Sequence, residues 1–539
     1  MANHVKNRGK EIRGRLGMAA AVAATLLAGI FVFYRHWQFE LPLYPNVDEQ
    51  LSLDCIYNLL NQHIYAGDIY VLDFFRYPHL TFYYAVVGVR ILGRLISGAD
   101  TVILLRYVVC GTAVLSNLCV YFAIKKMTGK SSLGYMGLAL SVFSLYGYAY
   151  LYYTGPDTMM YAVANVIMLL GCLIYQDVQE DRIIYLWYPL LAICIGLATA
   201  AKYHGILFGI FWLALHIKKK YWKKHRNNFV FFLCCIVIVL VFCVCNFSMF
   251  FHFKTFVWDN LYNLNHYAWG HPGIEHNFPL LGYIEAYAFT GYGAVGGILL
   301  LLGVVYLIRR KDWQQVMVFM LMPVFIILFL SRYKIVLGRN LSLIQPYVFL
   351  FMAYGFVQIG EWLGKFEKVR KMRYAGGIVP AALILMIVCN VAVALNDTRY
   401  GLTYTQAAQY MEEHIPEGAT VYCTSFAPAI DTERYRVIDV GEDITRLPDT
   451  LKEQEYYVDV EYATGYFRQK KDYLIIERGD MYPELKALYE EKISRYTPLQ
   501  DYKGISYGKE WKYRIGYLDL FRYSSKEYYV GPSIAIYGN

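Results

Sequence analysis

Charged residues are scarce in this sequence. Asp, Glu, Lys and Arg make up 17% of the 539 residues, and 57% of the residues are hydrophobic; soluble proteins have about a quarter charged residues. The chain also lacks an internal repeat and a low-complexity tract. Its net charge of +9 lies largely in short loops between hydrophobic runs, without a compact basic face. The composition therefore excludes an ordinary soluble protein and argues against a nucleic-acid partner.

The sequence also lacks the pattern of a disulfide framework. Most of the 11 cysteines lie inside hydrophobic segments, and only Cys55 and Cys423 fall in a loop or in the tail. The first apolar run follows a basic N-terminus but is not followed by a small-residue cleavage site. We therefore expect a membrane anchor rather than a signal peptide.

Long hydrophobic runs are what the sequence does contain. About 20 apolar residues cross a hydrocarbon core of ~30 Å, and basic loops mark the cytoplasmic side. Segment 81–96 is short and carries Arg90 and Arg94, which favours an interfacial helix on the outer surface. These rules predict a polytopic α-helical membrane protein with about eleven transmembrane helices: 16–34, 102–123, 133–153, 158–175, 183–200, 205–217, 228–250, 292–308, 315–331, 341–358 and 374–395.

The composition changes near residue 396. We expect a transmembrane domain over residues 1–396, with a first outer loop at 36–101, and a small extracytoplasmic α/β domain over residues 397–539. In the second part, helical spacing occurs in TYTQAAQYMEEHI and PELKALYEEKI. Strand-like patterns occur in ATVYCTS, YLIIER and SIAIYG.

Two acidic sites lie on the predicted outer face. Asp48 and Glu49 are adjacent in the first outer loop, and Asp157 follows in TGPDTMMYA. Sugar transfer to a hydroxyl or amine needs a carboxylate that accepts the nucleophile's proton, and a second carboxylate can bind a metal or clamp the acceptor. Alternatively, Asp48 and Asp157 cap helices and Glu49 favours a helix dipole. Both interpretations remain open.

Several basic residues lie at outer membrane boundaries, against the usual charge bias. Arginine and lysine there can stabilise a phosphate leaving group. Alternatively, they snorkel or contact ordinary lipid headgroups. These residues are Arg76, Lys202, Arg332, Lys334 and Arg339.

The outer loop at 252–291 is rich in aromatic residues and histidine. Its potential metal ligands are Asp259, His266, His271, Glu275 and His276. Their spacing fits no tight ligand pattern, so an acceptor-facing or lipid-facing loop is the favoured interpretation.

Short motifs along the chain resemble those of the C-type glycosyltransferases. In order, they are VDEQ, YPHL, GPDTMMYA, GLATAAKYHG and GRNLSLIQPYVFLFMAYG. They are similar to the bacterial protein-mannosyltransferase and aminoarabinose-transferase branch, and TQAAQYMEEHIPEGATVYC and GPSIAIYG resemble the extracytoplasmic domain of bacterial members. The resemblance implies inverting transfer of a sugar from a polyprenyl-phosphate-linked donor to an acceptor lipid, glycan or protein. It places this reaction on the outer face of a bacterial cytoplasmic membrane.

The resemblance also implies roles for individual residues. Asp48, Glu49 and Asp157 match the family's catalytic acidic positions. The family's loop lysine is absent from Tyr77-Pro78-His79-Leu80, and Arg76 stands one residue earlier in its place. The implied donor-phosphate ligands are Arg76, His79, Lys202 and Arg339. A divalent cation as cofactor stays open.

Two other functions are compatible with a polytopic chain. A lipid-linked sugar transporter or flippase predicts ionisable residues buried in mid-span and a repeat between halves. A non-catalytic scaffold of the same fold is the second alternative, and the intact Asp48–Glu49 pair argues against it.

Overall fold

The fold is known from a computed structural model. It describes residues 2–36, 47–62, 71–96, 98, 100–143, 153–269, 278–285, 293–333, 335–365, 381–382, 385, 403–424, 427–440, 444–460, 481–505, 529–530 and 533–539.

The first part of the chain is built from helices. Seven segments are long and apolar enough to cross a membrane: Gly14–Phe31, Thr101–Thr128, Pro156–Gln176, Glu180–Ala201, His225–Cys245, Trp313–Leu330 and Gly338–Leu363. Each overlaps a predicted span, which confirms a multi-pass helical membrane protein. The eleventh predicted span, 374–395, lies almost wholly outside the described residues.

The helices are numbered in chain order. The N-terminal six are α1 (Ala2–His36), α2 (Val47–Asn61), α3 (Leu80–Leu92), α4 (Thr101–Thr128), α5 (Ser131–Val142) and α6 (Pro156–Gln176). Those that follow are α7 (Tyr188–Ala201), α8 (Phe208–Lys218), α9 (His225–Cys245), α10 (Phe253–Trp269), α11 (Pro279–Glu285), α12 (Gly293–Arg309), α13 (Trp313–Leu330) and α14 (Gln345–Leu363). A π-helical turn, Ile183–Trp187, leads into α7, and 3₁₀ turns at Tyr203–Leu207, Phe247–Phe250 and Gly338–Ile344 precede α8, α10 and α14.

Local sequence explains where several helices begin and end. Asp100 caps α4 by accepting hydrogen bonds from the backbone N–H groups of Val102 and Ile103, and Gly129 ends it at a φ of +70°. Pro156 occupies the first turn of α6, where its missing N–H costs nothing. Helix α3 has 13 residues and so spans about 20 Å, too short to cross the bilayer; this length agrees with its predicted interfacial position.

Close backbone contact joins α12 to α14. A Cβ atom added at Gly303 would lie 1.8 Å from the Phe351 carbonyl oxygen, and one at Gly355 would lie 2.1 Å from that of Leu299. Small residues at such a crossing let two helix backbones approach where lipid provides little hydrophobic drive. This pair helps to position Gly338–Ile344, the turn that precedes α14.

The loops predicted on the two sides of the membrane lie at opposite ends of the helical part. At one end, Lys219 Nζ donates to the Asp177 carbonyl at 2.6 Å, and Lys224 Nζ pairs with Glu180 at 2.5 Å. The polar QDVQEDR loop therefore meets the basic KKKYWKKHR loop. The opposite end contains Asp157 and Lys202, which confirms the expectation that these two residues share one face.

A small α/β domain follows the membrane part. Its strands are β1 (Thr420–Cys423), β2 (Arg436–Asp439), β3 (Glu455–Val460), β4 (Thr497–Tyr502) and β7 (Ile534–Gly538), with a separate pair, β5 (Gly504–Ile505) and β6 (Tyr529–Val530). The main sheet has the order β2-β1-β3-β7-β4, parallel across β2-β1-β3 and antiparallel at β7. Helices α15 (Thr403–His414) and α16 (Met481–Ser494) contribute to two separate apolar clusters.

This domain confirms several predicted elements. TYTQAAQYMEEHI forms α15, ATVYCTS contains β1, SIAIYG contains β7 and PELKALYEEKI lies in α16. Strands β2, β3, β4, β5 and β6 were not predicted. The predicted strand YLIIER lies outside the described residues.

Candidate functional site

A fully buried ion pair fixes the start of α2. Arg106, on α4, donates through Nε to Glu49 Oε1 at 2.8 Å and through Nη2 to Glu49 Oε2. Both side chains have 0% exposure. Glu49 Oε1 also accepts the backbone N–H of Thr154 at 2.7 Å. The Glu49 carboxylate thereby joins α2, α4 and the segment that contains Thr154, which are distant in sequence.

A second cluster gathers around Asp157. Lys202 Nζ donates to Asp157 Oδ1 at 2.6 Å and to Asn340 Oδ1 at 2.9 Å. Arg339 Nε lies 3.9 Å from the other oxygen, Asp157 Oδ2. Asp157 and Lys202 are buried, whereas the Arg339 side chain is 23% exposed. Lys202 and Arg339 thus converge on Asp157 from two segments far apart in sequence.

The backbone around Lys202 explains how its ammonium group reaches Asp157. Helix α7 ends at Ala201, and Lys202 has an extended backbone that leads into the turn Tyr203–Leu207. A Cβ atom at Gly205 would lie 2.3 Å from the Ala198 carbonyl carbon. Only glycine lets this turn pack so closely against the last turn of α7.

The two clusters form one site because they share a short piece of backbone. Thr154 binds Glu49 and stands three residues before Asp157. Asp157 lies in the first turn of α6, but its side chain pairs with Lys202. Asp48 lies in the first turn of α2, which begins at Val47. The side chain of Asp48 lies outside the described residues, but its backbone is adjacent to the fixed Glu49.

The loop that carries Arg76 and His79 is held nearby. Tyr203, next to Lys202, donates its hydroxyl to the Phe75 carbonyl at 2.7 Å. The Phe75 N–H donates to Asp259 Oδ2 at 2.6 Å. Arg76 lies 3.9 Å from Asp259 and stacks over the Tyr262 ring, and its side chain is 43% exposed. Arg76 is therefore adjacent to the Asp157 cluster through this loop, but it has its own acidic partner.

His79 has a structural role in this arrangement. Its ring is buried, stacks on Phe75, and donates from Nε2 to the Phe74 carbonyl at 2.7 Å. Its backbone N–H donates to Asn246 at 2.9 Å. Burial lowers the pKa of His79 to about 4, opposed by the Phe74 hydrogen bond. In the neutral ring the remaining nitrogen, Nδ1, carries no proton to offer to a phosphate.

No group of three potential metal ligands occurs within the part of the chain that the structure describes. Asp157 engages two cationic side chains, and Asp259 accepts the Phe75 N–H. Of the five candidates in loop 252–291, the side chains of the other four lie outside the described residues: His266, His271, Glu275 and His276. Lys334 is also outside them.

Sequence reasoning missed four contributors to the site. Arg106 was overlooked because the run 102–123 was treated as uniformly apolar. An arginine within an apolar run is costly unless it is paired, and this was the available signal. Asn340, Thr154 and Tyr203 act through a side-chain amide, a backbone N–H and a hydroxyl. These contacts have no distinctive sequence pattern.

No protein-family model matches the chain, and no curated protein matches it. Among solved structures, the fold is similar to that of ArnT from Cupriavidus metallidurans bound to undecaprenyl phosphate, with 12% identity and a TM-score of 0.46 over 78% of this chain and 85% of that one. It is also similar to the Archaeoglobus fulgidus oligosaccharyltransferase in the apo form, with 12% identity and a TM-score of 0.49 over 90% and 73% of the two chains.

A third similarity is to the arabinofuranosyltransferase AftD from Mycobacteria, with 14% identity and a TM-score of 0.41. It covers 97% of this chain and 40% of AftD. At these TM-scores the likenesses do not assign the chain to a family.

Proposed function

We propose that this protein is an inverting glycosyltransferase that moves a sugar from a polyprenyl-phosphate carrier to an acceptor. The main support for this proposal is that four candidate site residues from the sequence analysis converge at one end of the helical part. They are Glu49, Asp157, Lys202 and Arg339. The reaction takes place on this face of the membrane, predicted to be the outer face of a bacterial cytoplasmic membrane.

The charge balance of the site supports an anionic ligand. Glu49 and Arg106 cancel each other, whereas Lys202 and Arg339 both lie close to the Asp157 carboxylate. These five groups sum to one positive charge, before the carboxylate of the neighbouring Asp48 is added. A sugar phosphodiester carries one negative charge, and the departing phosphate monoester carries about −1.5 to −2. The interaction of Lys202 and Arg339 with the phosphate strengthens as this charge develops, which is the requirement for transition-state stabilisation.

Asp48 is the proposed general base. Its carboxylate accepts the proton of the acceptor hydroxyl or amine as that atom attacks the anomeric carbon. The new glycosidic bond forms while the bond from the anomeric carbon to the phosphate oxygen breaks, and polyprenyl phosphate leaves with the electron pair. Arg106 holds Glu49 and thereby sets the backbone that carries Asp48. Arg76 guides the donor phosphate from the neighbouring loop, and His79 supports the shape of that loop.

The distribution of buried charge favours this function over transport. In the described helical part, the buried ionisable groups near the site lie close to helix ends: Glu49, Arg106, Asp157 and Lys202. A transporter requires such groups near the middle of its spans.

A release assay tests the proposal. Purified protein receives a panel of polyprenyl-phosphate sugars with membrane extract as the acceptor source, and free polyprenyl phosphate is measured. Asp48→Asn is expected to lower the release rate by about 100-fold or more, the scale of a lost general base. The matched control is Asp54→Asn on the exposed side of α2, where Asp54 contacts Gln50, and it should leave the rate unchanged. Full activity of a folded Asp48→Asn protein, or no release from any donor, contradicts the proposal.

A further inference from the structure

Helix α10 turns apolar residues outward, the reverse of a surface helix on a soluble protein. Its outward residues are apolar and 40% to 64% exposed: Phe253, Val257, Trp258, Leu261 and Leu264. They recur every three or four residues and form one stripe along the helix. Lys254 is the one charged residue among the exposed positions from 253 to 265. In water this stripe would be a large exposed apolar patch, which soluble surfaces rarely carry.

The inward face of α10 carries polar side chains that hydrogen-bond to the loop at 71–79, and Phe256 packs there against Phe75. Asp259 accepts the Phe75 N–H at 2.6 Å, and Asn263 Nδ2 donates to the Arg76 carbonyl at 2.8 Å. Asn260 Nδ2 donates to the Tyr203 hydroxyl at 3.4 Å. The polar side of the helix is therefore used for contacts within the protein, and its apolar side is left for the surroundings.

The position of α10 in the chain indicates what those surroundings are. It follows α9, a 21-residue apolar span of which only 11% is buried inside the protein. The 3₁₀ turn between them adds Phe250, which is 67% exposed. At the end of α9, Asn246 accepts the His79 N–H, and Ser248 in the turn accepts that of Leu72. Helix α10 thus begins where a lipid-exposed span leaves the hydrocarbon, on the side of the candidate site.

Helix α2 provides an internal contrast. Its exposed residues are mostly polar: Gln50, Asp54, Tyr57, Asn58 and Asn61. The same side of the protein therefore carries one helix suited to water and another suited to lipid.

We propose that α10 lies in the membrane interface, with its apolar stripe inserted at the boundary between the headgroups and acyl chains of the leaflet beside the site. This insertion fixes the height of the 71–79 loop above the bilayer through Asp259 and Asn263. Interfacial helices with apolar bodies and aromatic residues bind membranes in this way. The inference is independent of the proposed sugar transfer.

Photocrosslinking in nanodiscs of defined phospholipid tests the insertion. p-Benzoylphenylalanine is placed in the full chain at position 258, 261 or 264. The same residue at position 232, an exposed residue of α9, is the lipid-facing control, and position 57 on α2 is the water-facing control. The proposal expects phospholipid adducts at 258, 261 and 264 in yields similar to those at 232, and none at 57. Adducts to protein, or yields as low as at 57, overturn it.

Hydrogen exchange tests the link from the membrane to the loop. Leu261→Glu is expected to displace α10 from the membrane interface. Local opening should then accelerate hydrogen exchange of the Phe75 amide about tenfold or more. Tyr57→Glu on α2 is the matched control and should leave that amide protected. Equal protection of Phe75 in both variants contradicts the anchoring role.

Discussion

The buried ion pair between Glu49 and Arg106 leads to a quantitative prediction about the free energy of unfolding. Arg106→Met removes the cation and leaves the Glu49 carboxylate fully buried, with the Thr154 N–H as its remaining donor among the described residues. Glu49→Gln leaves the guanidinium of Arg106 buried without its carboxylate. The double variant removes both charges, and Gln at position 49 can still accept the Thr154 N–H.

The magnitude follows from the complete burial of both side chains. Breaking a buried ion pair on one side costs about 3–5 kcal/mol, whereas exchange of both partners for neutral groups is often close to neutral. Each single variant should therefore lose about 3–5 kcal/mol of stability. The double variant should recover most of this loss, so that the two single losses together exceed the double loss by about 5 kcal/mol or more.

The assay is equilibrium unfolding in mixed micelles for the native protein, both single variants and the double variant. Polyprenyl phosphate release is measured in parallel, and the double variant should remain impaired because the backbone of Asp48 has lost its charged anchor. Additive single losses, or an Arg106→Met protein as stable as the native one, would refute the reasoning.

Two further predictions concern packing and pH. Gly303→Ala and Gly355→Ala should each destabilise the protein by about 2 kcal/mol or more through overpacking, because each new methyl group meets a carbonyl oxygen of the partner helix. A methyl group at Gly360 meets nothing within 4 Å, so Gly360→Ala should stabilise α14 by about 0.5–1 kcal/mol. Thermal unfolding of the three variants measures these differences. For His79, the pKa of about 4 in the folded protein lies below its ordinary value of 6.5. The unfolded chain therefore takes up a proton first as the pH falls. The free energy of unfolding should drop between pH 6.5 and 4 by on the order of 3 kcal/mol. His79→Asn should show a weaker pH dependence over this range in the same unfolding assay, and an unchanged profile would contradict the burial argument.

The sequence predicted the positions of seven membrane-length helices and the shared face of Asp157 and Lys202 because both follow local rules. Apolar length and basic loops fixed the parity that placed Asp157 and Lys202 on one face, and they pair at 2.6 Å. Regular alternation predicted β1 and β7, whereas β4 is irregular, with a register shift between Pro498 and Gln500. Local patterning is a weak guide to such a strand.

The remaining features depend on contacts between distant parts of the chain. The bond from Phe75 to Asp259 joins residues 184 positions apart, and Asp259 was considered only as a metal ligand. Helix α10 was predicted only as part of a loop, since its apolar and polar faces were not separated. Arg106 was hidden in an apolar run, and its importance follows from the buried carboxylate it meets.

Binding of undecaprenyl phosphate, a lipid of the class proposed as the leaving group, tests the central claim most directly. The purified protein is titrated with this lipid in detergent, and Arg339→Gln is compared with Lys218→Gln at the opposite end, where Lys218 stacks over Tyr175. Loss of a charge-assisted hydrogen bond costs about 1.5–3 kcal/mol, so Arg339→Gln should weaken binding about 10- to 100-fold, and Lys218→Gln should not. Equal affinity of the native and Arg339→Gln proteins would contradict a phosphate site at this cluster.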